Sequence, residues 1–204
     1  MDCNANLSNC LFHDETTGNS TTDNNHPLIT RAHLRKTQKL RDSLRNEENF
    51  LKILIAYDTA SLNRNTEKVA KAMSEVLKEK GFDVDCLHVK DVDPAGVKNY
   101  DCVLAGSPTQ WHKATGPIMQ FLDRFAKDEF SGKLAAAFDT QIRAPLSGKA
   151  GKGIEKKLEK LGFKIVMPSL AIYVEGKMNE IRLKDGELEK AKKYAEDLAK
   201  TLQP

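Results

Sequence analysis

A chain of 204 residues, 40% hydrophobic and 30% charged, has room for one self-stabilising domain and an appendage, so it requires no disulfide or metal staple. A formal charge of +3 is too small and scattered to point to nucleic acid, and no apolar run approaches the roughly 20 residues of a membrane helix. Cys3, Cys10, Cys86 and Cys102 form no C-x-x-C pair, which suits a reducing cytoplasm.

Residues 1–28 are rich in Asn, Thr, Ser and Asp and poor in large apolar groups, so they cannot bury enough surface to offset the entropy of ordering, and disorder is expected. Cys3, Cys10, His13 and His26 match no compact zinc spacing. Residues 29–48 carry Leu34, Leu40 and Leu44 among many charges, the pattern of a partly amphipathic helix. The expected organisation is therefore an extension, 1–48, ahead of a domain, 49–204.

From residue 50 onward the apolar period switches repeatedly between two and 3.6. Residues 52–57 read as a strand, and 66–80 as a helix with Val69, Met73, Val76 and Leu77 on one face and Gly81 as its left-handed end. Strands are predicted at 83–89, 102–106, 134–138 and 165–174. A helix follows Pro117 with Ile118, Phe121, Leu122 and Phe125 inward, another carries Ile154, Leu158 and Leu161 and stops at Gly162, and the last starts from Asp185 as N-cap. Five strands alternating with helices predict an α/β fold, a three-layer, doubly wound, five-stranded parallel sheet. Ligands of such sheets bind at the carboxyl ends of the strands, where strand order reverses. The loops 58–66, 107–116 and 139–152 all fall at that edge.

The first of these loops interrupts the buried run Ile53-Leu54-Ile55-Ala56-Tyr57 with Thr59, Ser61, Asn63, Asn65 and Thr66 and then opens a helix. Hydroxyl donors and helix-start N–H groups suit a phosphate, which carries acceptors only; the same layout also serves an ordinary capped strand-to-helix turn. The second loop, Gly106-Ser107-Pro108-Thr109-Gln110-Trp111-His112, holds the single Trp of the chain. Trp111 is placed either to stack on a planar ligand or to cover the end of the core. The third, from Asp139-Thr140-Gln141 through Arg143 to Gly148, offers polar groups of low motif specificity.

The order strand, hydroxyl-rich loop ending Asn65-Thr66-Glu67-Lys68, helix, then Gly106-Ser107-Pro108-Thr109-x-Trp111 and later Phe121-Leu122-Asp123-Arg124 resembles the flavodoxin family over about residues 50–203. The resemblance implies noncovalent FMN. Thr59, Ala60, Ser61, Arg64, Asn65 and Thr66 would hold its phosphate; Ser107, Pro108, Thr109, Gln110 and Trp111 would flank the ring; and Asp139, Thr140 and Gln141 would meet its pyrimidine edge. Two departures stand out: Arg64 replaces the usual loop glycine, and the loop is about two residues longer. The implied function is an electron carrier working with a reductase and an acceptor protein, in the cytoplasm, as a monomer or weak homodimer. The alternatives are an FMN-dependent quinone-type reductase and a cofactor-free receiver-like module, the latter weakened by Asp58 standing without an acidic neighbour. No catalytic residue and no metal site is expected.

Overall fold

A computed structural model describes residues 51–143, 149–177 and 180–203; the expectations for residues 1–48 and for 144–148 of the third loop lie outside these. Five strands form the parallel body of the sheet: β1 (Lys52–Tyr57), β2 (Asp83–His88), β3 (Cys102–Gln110), β5 (Leu134–Ile142) and β7 (Leu170–Glu175). Three two-residue strands complete it, β4 (Lys113–Ala114), β6 (Lys164–Ile165) and β8 (Arg182–Leu183). The order is β2-β1-β3-β5-β7-β8, with β4 paired to β3 and β6 to β5.

β1 shows why the chain folds in three layers. Its side chains alternate between faces, so Ile53, Ile55 and Tyr57 join a core with helices α1 (Asn65–Glu79) and α4 (Glu187–Leu202), through Val69, Met73 and Leu77 and through Ala195 and Leu198. Leu54 and Ala56 face the other way, into a core with α2 (Gly116–Leu122) and α3 (Ala150–Lys160), where Ile118, Leu122, Ile154 and Leu158 pack. Ile53, Leu54, Ile55 and Ala56 are fully buried, as a central parallel strand requires. Cys102 lies in the same sheet interior, and burial pushes its thiol up to about 12, so it packs as a small hydrophobe. Gly81 and Gly162, both left-handed with φ 89° and 93°, follow α1 and α3 as the sequence predicts.

The structure differs from the sequence-based expectation at four points. β3 and β5 each run four residues beyond the expected ends, because Ser107 pairs with Asp139 and Pro108 with Thr140 in continued ladder, after which Thr109 and Gln110 pair with β4 and Gln141 and Ile142 with β7. Two of the three polar loops thus begin as strand. The expected strand 165–174 is two pieces, β6 and β7, separated by a stretch containing Pro168, which lacks the N–H that a continuous ladder needs. Phe125 lies beyond α2 and packs edge-on against Phe121 and Phe130, 5.3 and 4.9 Å between centroids. The last helix is capped by Gly186, not Asp185: the Glu187 N–H closes a turn onto the Lys184 carbonyl, and the Glu187 carboxylate accepts the Tyr173 N–H at 3.0 Å, fixing the start of α4 against β7.

Candidate functional site

β1 leads to β2 on one side and β3 lies on the other, so the chain reverses its direction of winding between β1 and β3. In parallel sheets such a reversal splays the outgoing loops and opens a crevice. A cavity of about 260 Å³ opens at this edge, just under the roughly 300–1,000 Å³ of typical small-molecule sites. Ala60, Ser61, Asn65, Pro108, Thr109, Gln110, Thr140 and Gln141 line it, joined by Leu62, Ile142, Val174 and Ile181. All three loops singled out from the sequence contribute. Leu62 carries a readable signal, a large apolar residue in a run of polar ones. Val174 and Ile181 carry none, because the fold brings them there from more than 100 residues beyond the first loop.

The first loop is held from several sides. Ser61 accepts the Arg64 N–H at 2.9 Å, closing a tight turn that throws Arg64 into the left-handed region, φ 49° and ψ 44°, as the N-cap of α1. The position thus takes the conformation for which glycine is suited. The Arg64 guanidinium meets the buried Glu67, Nε to Oε2 at 2.5 Å, and Lys71 reaches its other oxygen at 2.8 Å. Burial pulls the Glu67 carboxyl upward in pKa, but the two cations outweigh it and the net shift is downward, so Glu67 stays ionised and anchors Arg64 to the helix. Asn63 and Asn65 donate their side-chain amides to the Ile181 carbonyl at 2.8 and 2.9 Å, and Thr66 Oγ1 meets Thr140 Oγ1 at 2.8 Å. These bonds tie the loop to the far wall of the cavity and to β5.

What the bonds leave over matters more for binding. Thr59 Oγ1, Thr109 Oγ1 and Asn65 Oδ1 are buried without a hydrogen-bond partner. Buried polar atoms are normally paired, and each orphan costs about 1–3 kcal/mol. Two hydroxyls able to donate and one amide oxygen able to accept therefore await a partner around the first and second loops. The first turn of α1 adds N–H groups that no helix can satisfy internally.

Six residues expected beside a ligand, Thr59, Arg64, Thr66, Ser107, Trp111 and Asp139, are not among those lining the cavity. Ser107 is fully buried and faces a polar cluster: its Oγ accepts the Thr115 N–H at 3.0 Å, lies 3.0 Å from Thr115 Oγ1, and donates to the Pro108 carbonyl at 2.8 Å. The Thr115 hydroxyl in turn donates to Asp58, whose other oxygen is 3.2 Å from His88 Nε2. His88 Nδ1 accepts the Lys90 N–H at 3.1 Å, so the ring donates its proton from Nε2 to the carboxylate. This cluster, missed in the sequence, joins the carboxyl ends of β1, β2 and β3 to the start of α2. Thr115 caps no helix N–H with its side chain, so removing its hydroxyl tests the cluster alone. Thr115→Val should cost about 1–3 kcal/mol in urea denaturation by stranding buried partners, and Thr115→Ser should restore most of it.

Asp139, which precedes the lining residues Thr140 and Gln141, is buried, with one carboxylate oxygen accepting the Gly151 N–H at 2.6 Å and the other unpartnered. Burial pushes its carboxyl up to about 6, against a smaller opposing pull from the Gly151 N–H and Lys190.

Trp111 is 93% exposed, so it does not cover the core. It and His112 are the two middle residues of a hairpin joining β3 to β4, both left-handed with φ 47° and 65°, the conformation a two-residue primed turn demands. For residues bearing a Cβ this costs roughly 1–2 kcal/mol each. The indole is held out in solvent beside Gln110, on the rim of the cavity and not among its lining residues.

Comparison with known proteins bears on the same segment. The family model described as Flavodoxin matches residues 55–193. An uncharacterised protein of Methanocaldococcus jannaschii is 28% identical over 158 residues, covering 74% of this chain and 99% of its own. A probable flavodoxin of Bacillus subtilis is 33% identical over 89 residues, 43% of this chain and 54% of its own. Among solved structures, a flavodoxin from the domain Archaea superposes with a TM-score of 0.62 at 26% identity, covering 74% of this chain and 97% of its own.

Proposed function

The chain belongs to the flavodoxin family, and from that premise we propose that it is an electron carrier that binds FMN noncovalently in the cavity at the β1/β3 edge. The observation that carries the reading is three of the unpartnered buried atoms, Thr59 Oγ1, Thr109 Oγ1 and Asn65 Oδ1, the last two on residues lining a cavity within the family's matched segment. The donors suit an acceptor-only phosphate at a helix start, and the Asn65 oxygen suits a ligand hydroxyl. When bound, FMN supplies the electron chemistry that the side chains lack.

The residues of this chain bind and orient. Ser61, Thr59 and the first turn of α1 receive the phosphate, while Arg64 brings its charge next to the cradle but remains anchored by Glu67. Pro108, Thr109 and Gln110 would form one wall for the ring and Thr140 and Gln141 the other, with Trp111 on its hairpin available beside Gln110. Ser107 and Asp139 position these walls from below: Ser107 through the cluster with Thr115 and Asp58, Asp139 through the start of α3. Thr66 acts likewise, locking the cradle to β5. The domain that does this is residues 49–204, with 1–48 as an extension. The electron donor and acceptor are separate cytoplasmic redox proteins, and the carrier acts as a monomer or weak homodimer.

Among the described residues no helix is long and apolar enough to cross a membrane, and no group of three His, Cys, Asp or Glu is arranged for a metal ion.

The test is a visible spectrum of the protein from a host that makes FMN, followed by reductive titration. A yellow preparation, or an apoprotein that takes up added FMN, supports the proposal; refusal of FMN ends it. Steady NADPH oxidation without an added reductase would turn the reading toward a reductase. Thr59→Ala gives a sharper check. Its hydroxyl has no partner in the protein, so apoprotein stability should hold or rise slightly, while FMN affinity falls about tenfold through loss of a hydrogen bond to a charged group.

A further inference from the structure

The large hydrophobic side chains most exposed among the described residues are Leu62 at 78%, Trp111 at 93% and Ile142 at 52%. They come from three segments far apart in sequence that border one cavity: Leu62 and Ile142 line it, and Trp111 follows Gln110, which lines it too. Single exposed apolar residues need no explanation, but a convergent set does. One of the three, moreover, is held out by a strained turn with two left-handed residues, a cost that packing would remove if the indole had a use in the core.

The charge around this rim is predominantly positive. In residues 58–66, 107–116, 139–143, 149–152 and 180–182, the exposed lysines and arginines are Arg64, Lys113, Arg143, Lys149, Lys152 and Arg182, against one exposed acid, Glu180. The two other carboxylates in these segments, Asp58 and Asp139, are buried and face inward bonds. Arg64 and Arg182 are paired with Glu67 and Glu175. Lys113, Arg143, Lys149 and Lys152 have no carboxylate partner among the described residues; Arg143 lies over the Tyr173 ring at 5.7 Å. By contrast the outer face of α4 carries its lysines in pairs with Glu189, Glu196 and Asp197.

We propose that this rim, an apolar centre of Leu62, Trp111 and Ile142 within a ring of unpaired cations, docks the acidic face of a redox protein partner. The inference rests on the electron-carrier reading and names the partner's chemistry. The apolar centre supplies contact area that excludes water, and the cations set orientation and encounter rate. Docking here sets the partner against the mouth of the cavity, the place from which an electron would leave or enter. An anionic bilayer would meet the same charge but would offer no electron acceptor at the mouth.

The test uses the FMN-loaded chain with two redox proteins of opposite charge. Reduced plant-type [2Fe–2S] ferredoxin, an acidic protein, is mixed with oxidised carrier, each event oxidising one cluster and placing one electron on the flavin. In a second arm the chemically reduced carrier gives electrons to mitochondrial cytochrome c, a basic protein. The ferredoxin rate should fall about tenfold from low to high salt, as steered encounter does, while the cytochrome rate rises or stays flat. In Lys113→Glu/Arg143→Glu/Lys149→Glu the ferredoxin rate should no longer fall with salt and the cytochrome rate should fall, with the flavin spectrum and FMN affinity unchanged.

A salt dependence of the opposite sign in the wild type, or one unmoved by the triple variant, overturns the proposal. Should the chain refuse FMN, calorimetric titration of the flavin-free protein with oxidised ferredoxin at low salt reads docking by itself, with heat in the wild type and none in the triple variant as the supporting result. Tight binding to phosphatidylserine vesicles with a blue-shifted Trp111 emission, without binding to ferredoxin, would assign the rim to a membrane and overturn the protein-partner proposal.

Discussion

Gly106→Ala is expected to destabilise the domain by about 3 kcal/mol or more, the upper end of what overpacking costs, from a single added methyl group. A Cβ at position 106 would lie 2.0 Å from Cζ of Phe138 and 2.3 Å from both Cε atoms. Gly106 and Phe138 are register partners on adjacent parallel strands, and the ring lies directly across the glycine, itself 1% exposed. Neither can yield: β3 is central in the sheet, and the ring is enclosed by the core shared with α1 and α4. Against a total of roughly 5–15 kcal/mol, such a loss takes a large part of the stability. The damage also has a direction. The Gly106 carbonyl accepts the Asp58 N–H at 3.0 Å, and Ser107 follows at once, so displacement of β3 spreads into both loops that line the cavity. Urea denaturation measures the loss. A cycle with Phe138→Ala assigns it, because removal of the ring should cancel at least ~1 kcal/mol of the glycine effect if the two collide. Additive losses would mean that Gly106 matters for another reason.

This glycine illustrates how far a sequence can be read. Its place at the end of an apolar run is visible, but what fills the space above it is decided by register between strands 32 residues apart. The period of the apolar residues was sufficient for β1, for α1 and α4 and for the layering, since each of those elements shows its buried face in its own composition. It failed where polar residues continue a strand. Ser107 to Gln110 and Asp139 to Gln141 carry no apolar alternation, and they are strand because of their ladder partners: Ser107 and Pro108 pair with Asp139 and Thr140, Thr109 and Gln110 with β4, and Gln141 with Tyr173 of β7. The same limit explains the site. The hydroxyl-rich loop and the exposed Trp111 were legible as candidates. The closing wall from Ile181, held by Asn63 and Asn65, and the Asp58, His88, Thr115 and Ser107 cluster depend on tertiary contacts that leave no local trace. Asp185 was a sound cap by residue type, and it loses to Gly186 because the turn from Lys184 to Glu187 already satisfies the helix start.

Asp139 supplies the second large effect, and it is one of pH. Its carboxyl is raised from an ordinary 3.8 to about 6, chiefly by burial. The folded protein therefore holds a proton between roughly pH 4 and 6 that the unfolded chain has released. With more protons on the native state, stability falls as pH rises through that window and is fully reduced above about pH 6. Two pK units correspond to roughly 3 kcal/mol. Asp139→Asn keeps the acceptor for the Gly151 N–H and removes the charge, exchanging one unpartnered buried atom for another. The variant should therefore be more stable than the wild type at pH 7.5, by up to about 3 kcal/mol, and the two should converge near pH 4. The decisive reading is the slope of unfolding free energy between pH 4 and 6, negative in the wild type and near zero for this contribution in the variant. Equal slopes would place the proton elsewhere. That the chain keeps a buried ionisable group next in sequence to the cavity-lining Thr140 and Gln141, at a cost felt at neutral pH, fits a role in supporting that wall. Addition of FMN supplies the link: if Asp139 supports the Thr140 and Gln141 wall against the bound flavin, saturation with FMN should move the wild-type pH window and leave that of Asp139→Asn where it is.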